Sequence, residues 1–185
     1  MKKTILTLSL ALFALIGFGQ AKLEIGVKAG ANFANTNIDD ANSITSLHGG
    51  AYGLIKLASI GIQPEILFSK QGSEFSGGSE IDLSYVNVPV MLKFYFPGGI
   101  NLQAGPQFGI LTKAEDEDGV DLKDGLKSSD ISAAIGAGWD APFGLQASVR
   151  YVLGLTDVND LAGGTEVKNK TFQVSIGYSL FKLGK

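Results

Sequence analysis

Residues 86–96 read VNVPVMLKFYF, and how this stretch divides between two faces decides the fold. A strand sends alternate side chains to opposite sides. One side carries Val86, Val88, Val90, Leu92, Phe94 and Phe96, with no polar side-chain atom; the other carries Asn87, Pro89, Met91, Lys93 and Tyr95. A strand of a soluble sandwich has this pattern when its apolar face meets a core. A membrane strand has it too, with lipid in place of the core and a polar lumen behind.

The same division recurs on either side of this stretch. Residues 22–34 set Leu23, Ile25, Val27 and Phe33 against Glu24, Gly26, Lys28 and Asn32. Residues 60–69 set Ile60, Ile62, Pro64, Ile66 and Phe68 against Gly61, Gln63, Glu65, Leu67 and Ser69. Between them, residues 46–58 are less regular: His48, Tyr52 and Lys56 share a side, and Leu54 breaks the pattern. Further on, residues 100–113, 129–140, 143–154 and 170–181 alternate again, with Gln103, Gly136, Arg150 and Gln173 among the residues on their polar sides.

The count is about eight strands, and the connections alternate in length. Residues 35–45, 71–81, 114–128 and 156–169 read as long polar loops; residue 59, residues 97–99 and residues 141–142 read as tight turns rich in Pro and Gly. Strict alternation of long and short connections belongs to outer-membrane barrels, and a Greek-key sandwich has no cause to produce it. The expected fold is therefore all-β: an eight-stranded antiparallel up-and-down transmembrane β-barrel. Charge agrees. Glu24, Lys28, Lys56, Glu65, Lys93 and Arg150 all fall on the polar faces, where a lumen can pair or wet them and lipid cannot. Apolar-face aromatics gather near strand ends: Phe94, Phe96, Trp139, Phe143 and Tyr178 beside the short turns, Phe33, Phe68 and Phe172 beside the long loops. Glycines crowd the polar faces, as a lumen barely wide enough for its own side chains requires.

The N-terminus is read separately. Lys2 and Lys3 precede an apolar run from Ile5 to Phe18, followed by the small residues Gly19 and Ala21, the layout of a secretory signal peptide. The division expected is residues 1–21 as a cleaved signal and 22–185 as one barrel domain. No later segment has the continuous apolar length of a transmembrane helix, so any crossing is made by strands. The chain has 185 residues, a net charge of -3, 25 glycines and no cysteine, which excludes disulfides, thiolate metal sites and a cysteine nucleophile. Its mild acidity gives no footing for nucleic acid.

Two constellations bear on chemistry. His48, the one histidine, has Ser46 nearby but no carboxylate in sequence to orient it; a rim-active lipid-modifying enzyme would need that third group. An ordinary polar residue is the reading favoured, with no catalytic, metal or cofactor site. The acidic run Glu115–Asp118 with Asp121 and Asp124 lacks the spacing of a calcium loop and reads as solvated, although divalent cations could bridge it to lipopolysaccharide phosphates. The luminal charges form the candidate site of this chain, structural in role: Glu65 is expected within ion-pair distance of Arg150 or Lys28, with Lys93, Glu24 and Lys56 in the same lumen. A soluble periplasmic lipocalin-like barrel stands as the alternative if the apolar face turns inward.

The chain resembles the small outer-membrane β-barrel, porin-family (PorT-like) proteins of Gram-negative bacteria. The resemblance runs through everything after the signal: GVKAGANFA from Gly26, GIQPEILFSKQG from Gly61, YVNVPVMLKFYF from Tyr85, AGPQFGIL from Ala104 and RYVLGLTDV from Arg150. It implies a single eight-stranded barrel of the cell outer membrane, inserted by the barrel-insertion machinery and contacting outer-membrane lipid and lipopolysaccharide. A non-enzymatic role is expected, structural, in surface interaction, or accessory to transport or secretion, for a monomer without cofactor.

Overall fold

The computed structural model describes residues 21–35, 44–74, 80–116, 129–155 and 170–184. These form eight strands: β1 (Ala21–Asn35), β2 (Ile44–Leu57), β3 (Ile60–Glu74), β4 (Glu80–Tyr95), β5 (Ile100–Asp116), β6 (Ser129–Asp140), β7 (Leu145–Gly154) and β8 (Lys170–Leu183). Each pairs antiparallel with its neighbour in sequence, and β1 pairs with β8, so the sheet closes into a barrel without an edge. Of the expected signal segment, residues 1–21, all but Ala21 lies outside the described residues, as do residues 36–43, 75–79, 117–128 and 156–169 between strands.

The polar face points inward. Glu24, Lys28, Glu65, Lys93 and Arg150 are buried, while Ile25, Ile62, Phe68, Leu92, Ile135 and Ile176 stand exposed on the outer wall. That polarity rules out the lipocalin-like alternative, whose apolar face would line the interior. Leu54, the residue that disturbed the alternation of β2, is luminal and buried. The outer side of β2 is Gly49, Ala51 and Gly53 at this height, so the strand has its bulk inside and little outside. Leu67 and Met91 are luminal as well, and Met91, Ala134 and Val152 pack into one apolar cluster across the interior.

The short connections are well determined by their residues. Ala58 turns β2 into β3 with a φ of 53°. Pro97–Gly99 make a single 3-10 turn in which Gly98 has a φ of 83°, a conformation a side chain resists. Trp139 Nε1 donates to the Gly98 carbonyl at 2.9 Å, tying the aromatic belt to this turn. Trp139 and Phe143 stack edge-on at 6.4 Å, and Phe33 meets Phe172 at 6.4 Å at the opposite end.

Several loop boundaries differ from expectation: Asn35 belongs to β1 and residues 44–45 to β2, although residues 35–45 are expected as loop. β3 continues to Glu74, β4 begins at Glu80 and β5 runs to Asp116, so residues 71–74, 80–81 and 114–116, expected as loop, are strand. A ladder needs only backbone pairing, so it continues where the alternation of residue types along the sequence ends.

One feature of the ladder is unexpected in a closed sheet. Proline lacks the N–H of the ladder and is normally confined to edges or bulges. Here Pro64, Pro89 and Pro106 lie inside β3, β4 and β5. Pairing of β2 with β3 stops between Tyr52↔Glu65 and Ile55↔Ile62, around Pro64. Pairing of β3 with β4 stops between Pro64↔Val90 and Leu67↔Asn87, around Pro89. Pairing of β4 with β5 stops between Pro89↔Gln107 and Leu92↔Ala104, around Pro106.

Candidate functional site

The interior is a stack of side-chain layers, and the middle one holds the charges. Lys28 on β1, Glu65 on β3 and Arg150 on β7 come from strands that do not adjoin, and they meet across the lumen. Lys28 Nζ donates to Glu65 Oε1 at 2.7 Å. Arg150 grips the same carboxylate with two guanidinium nitrogens, NH2 to Oε1 at 2.6 Å and NH1 to Oε2 at 2.8 Å. Gln103 Oε1 accepts from Arg150 Nε at 3.0 Å and from NH2 at 2.8 Å. Glu65 is 1% exposed, Arg150 2% and Lys28 4%. Planar, bidentate pairing of this kind is among the stronger charged hydrogen bonds.

Gln63 connects this cluster to the layer below. Its Nε2 donates to Glu65 Oε1 at 2.7 Å and its Oε1 accepts from Lys93 Nζ at 3.0 Å. Lys93 then pairs with Asp140 Oδ2 at 2.8 Å, and the Tyr95 hydroxyl donates to the same oxygen at 2.7 Å. Alternation places Gln63 and Gln103 on the polar faces without joining them to the charges, and Asp140, the last residue of β6, falls on the same face by parity.

Glu24 and Lys56 stand apart from the central cluster. Glu24 pairs with Lys22 at 2.8 Å and accepts from the Ser179 hydroxyl. Lys56 Nζ lies 3.7 Å from the centre of the Tyr95 ring and forms no ion pair among the described residues.

β2 also reaches over β1 to β8. Tyr52, Gly26 and Ser179 are register neighbours, as are His48, Gly30 and Ser175. With no side chain on either glycine, the Tyr52 hydroxyl meets Ser179 Oγ at 2.9 Å and His48 Nε2 meets Ser175 Oγ at 2.9 Å. A Cβ at Gly30 would fall 2.7 Å from the His48 ring. The two contacts clasp the strand pair that closes the barrel. His48 thus engages Ser175, and Ser46 instead lies 3.4 Å from Asn32. His48 Nδ1 has no partner among the described residues. Among the described residues there is also no cluster of metal-ligating side chains.

The profile of the outer membrane protein beta-barrel domain matches residues 18–160. The chain belongs to that family. No curated protein matches it. Among solved structures, the outer-membrane barrel is similar to Neisserial surface protein A, with a TM-score of 0.59 at 8% identity over 85% of this chain and 97% of that one. It is also similar to Ail, the attachment invasion locus protein of Yersinia pestis, solved with the heparin analogue sucrose octasulfate: TM-score 0.52, 14% identity, 89% of this chain and 99% of that one. At such identities the likeness is one of fold.

Proposed function

We propose that this outer-membrane barrel is a sealed, non-enzymatic scaffold of the porin-like, PorT-like kind, which acts through the long connections at one end and conducts nothing through its centre. The observation carrying this reading is the buried Lys28–Glu65–Arg150 cluster with the apolar Met91–Ala134–Val152 layer beside it. An eight-stranded barrel has room for its own side chains only. Here charged groups occupy each other's hydrogen-bonding capacity, and the adjacent apolar layer offers passing ions no ligand. The luminal charges are therefore structural.

On this reading the protein is a monomer, exported with a cleaved signal peptide and placed by the barrel-insertion machinery in lipid and lipopolysaccharide. Its long connections face the exterior, and the acidic run Glu115–Asp118 with Asp121 and Asp124 is a solvated stretch that divalent cations could bridge to lipopolysaccharide phosphates. Surface interaction, or an accessory part in transport or secretion, is the role left to such a scaffold.

Planar-bilayer recording tests the seal. Purified, refolded protein is expected to give no stable conductance steps, and removing the acidic residues of the 115–124 run is expected to leave that silence unchanged. Reproducible single-channel steps from the unmodified protein would overturn the reading. The run itself is tested by binding of the protein to lipopolysaccharide vesicles with magnesium and after chelation.

A further inference from the structure

The three strand prolines belong to the motifs that mark this chain, QPE at Gln63, NVPV at Asn87 and AGPQ at Ala104, and sealing the lumen does not require them. They fall in one row around the wall. Pro64 is opposite Val90, Val90 follows Pro89, and Pro106 lies in the interrupted stretch facing Val90. Each proline breaks pairing with the strand before it and keeps pairing with the strand after: Pro64 with Val90, Pro89 with Gln107, Pro106 with Ala133. Elsewhere the ladder is different. The pairings β1–β2, β5–β6, β6–β7 and β7–β8 run without a break, and β1–β8 has a single register shift near one end, at Ile25/Gly26.

We infer that the β3–β5 wall is the compliant side of this barrel: β2, β3, β4 and β5 part locally at the proline row while the β1–β8 closure stays shut. At the row, three neighbouring interfaces have each already given up ladder bonds, so separating them there sacrifices fewer than at any matched height on β6–β8. In the interrupted stretch of β4–β5 a Cβ at Gly105 would collide with the Val90 carbonyl, so that oxygen rests against a bare Cα. A Cα–H···O contact is weaker than an N–H···O bond. Behind the row Leu54, Leu67, Pro89 and Met91 are buried beside Gln63 and Glu65. By contrast, the closure is clasped from inside by Tyr52–Ser179 and His48–Ser175. End strands are the usual place to look for a weak seam in a closed sheet; here the compliant wall lies on the other side.

Amide hydrogen exchange on the mature protein in lipid nanodiscs tests this, since exchange reports local opening site by site. Amides of residues 53–54, 65–66, 88, 90–91 and 104–105 are expected to exchange about tenfold or more faster than those of residues 134–137 and 149–152 at comparable depth. Pro106→Val, on the outer face where the new side chain meets lipid, restores a donor opposite Val90. It is expected to slow exchange across β4–β5 about tenfold and to leave β2–β3 as before. If that variant does not fold, Pro64→Val makes the same test at β2–β3, and the map of the unmodified protein stands independently. Fastest exchange at the β1–β8 closure, equal exchange at matched depth, or a folded proline variant with unaltered exchange would each overturn the inference.

Discussion

Glu65 accepts four donors, from Lys28, from Gln63 and two from Arg150, and this settles what each substitution in the cluster does. Two cations share one carboxylate. Glu65→Gln therefore strands both, and a buried ion pair broken from one side costs about 3–5 kcal/mol. Lys28→Met leaves the bidentate Glu65–Arg150 pair intact and is expected to be the mildest of the single changes. Removing Glu65 and Arg150 together leaves Lys28 without its carboxylate. The compensated variant is the triple change Lys28→Met, Glu65→Gln, Arg150→Met. Urea titration of bilayer-inserted protein, followed through the lone tryptophan, Trp139, is expected to rank the variants in that order. A flat ranking would indicate water around the cluster. A smaller effect belongs to Ala58, whose φ of 53° is left-handed for a residue with a side chain. Ala58→Gly is expected to stabilise by about 1 kcal/mol, read in the same titration.

At the scale of the strand, parity was legible from sequence because the two solvents of this protein differ so much. Lipid tolerates no charge on Ile62, Leu92 or Ile135, and the lumen holds Lys93 and Arg150, so alternation survives wherever a strand crosses the bilayer. It fades where that contrast fades. Residues 71–74 and 114–116 read as loop in sequence and are strand; Leu54 and Leu67 look outward by composition and point inward. Which charges meet was only partly legible. Lys28, Glu65 and Arg150 lie on β1, β3 and β7, and their common height depends on strand tilt and stagger around the barrel, which no single strand encodes. The clasps were hidden for a related reason, since Gly26 and Gly30 gain meaning only beside Tyr52 and His48 on the next strand. The facing assignment itself is testable. Val90→Arg puts a cation against lipid near mid-height and is expected to cost about 2–4 kcal/mol and depress insertion. Asn87→Arg, on the same strand but luminal and next to the space left by Gly109, is expected to insert better. Folded yield of the two variants by heat-dependent gel mobility decides, and equal damage would contradict the assignment.

At the scale of the whole molecule, the two ends of the barrel are built differently, and this sets its orientation in the membrane. One end is finished closely: Ala141 N–H donates to the Leu145 carbonyl at 2.8 Å, Tyr95 N–H to Ser59 at 2.8 Å, and Lys182 reaches the Pro142 carbonyl at 3.0 Å. Trp139, Phe143, Phe94 and Phe96 surround that end as an interfacial belt. At the other end β3 runs to Glu74, β4 begins at Glu80 and β5 runs to Asp116. Outer-membrane barrels place short turns on the periplasmic side and long connections outside. Protease added to intact cells is therefore expected to cleave within residues 117–128, which follow β5, and to leave the Pro97–Gly99 turn uncut. The turn has two protections in that arrangement: the membrane between it and the protease, and the Trp139 bond to Gly98 that holds its backbone. Permeabilising the outer membrane removes only the first. Cleavage at residues 117–128 should thus be indifferent to permeabilisation, and cleavage near Pro97 should remain slow even after it. Cutting at the turn in intact cells, with residues 117–128 spared until permeabilisation, would mean that the barrel is inserted the other way up.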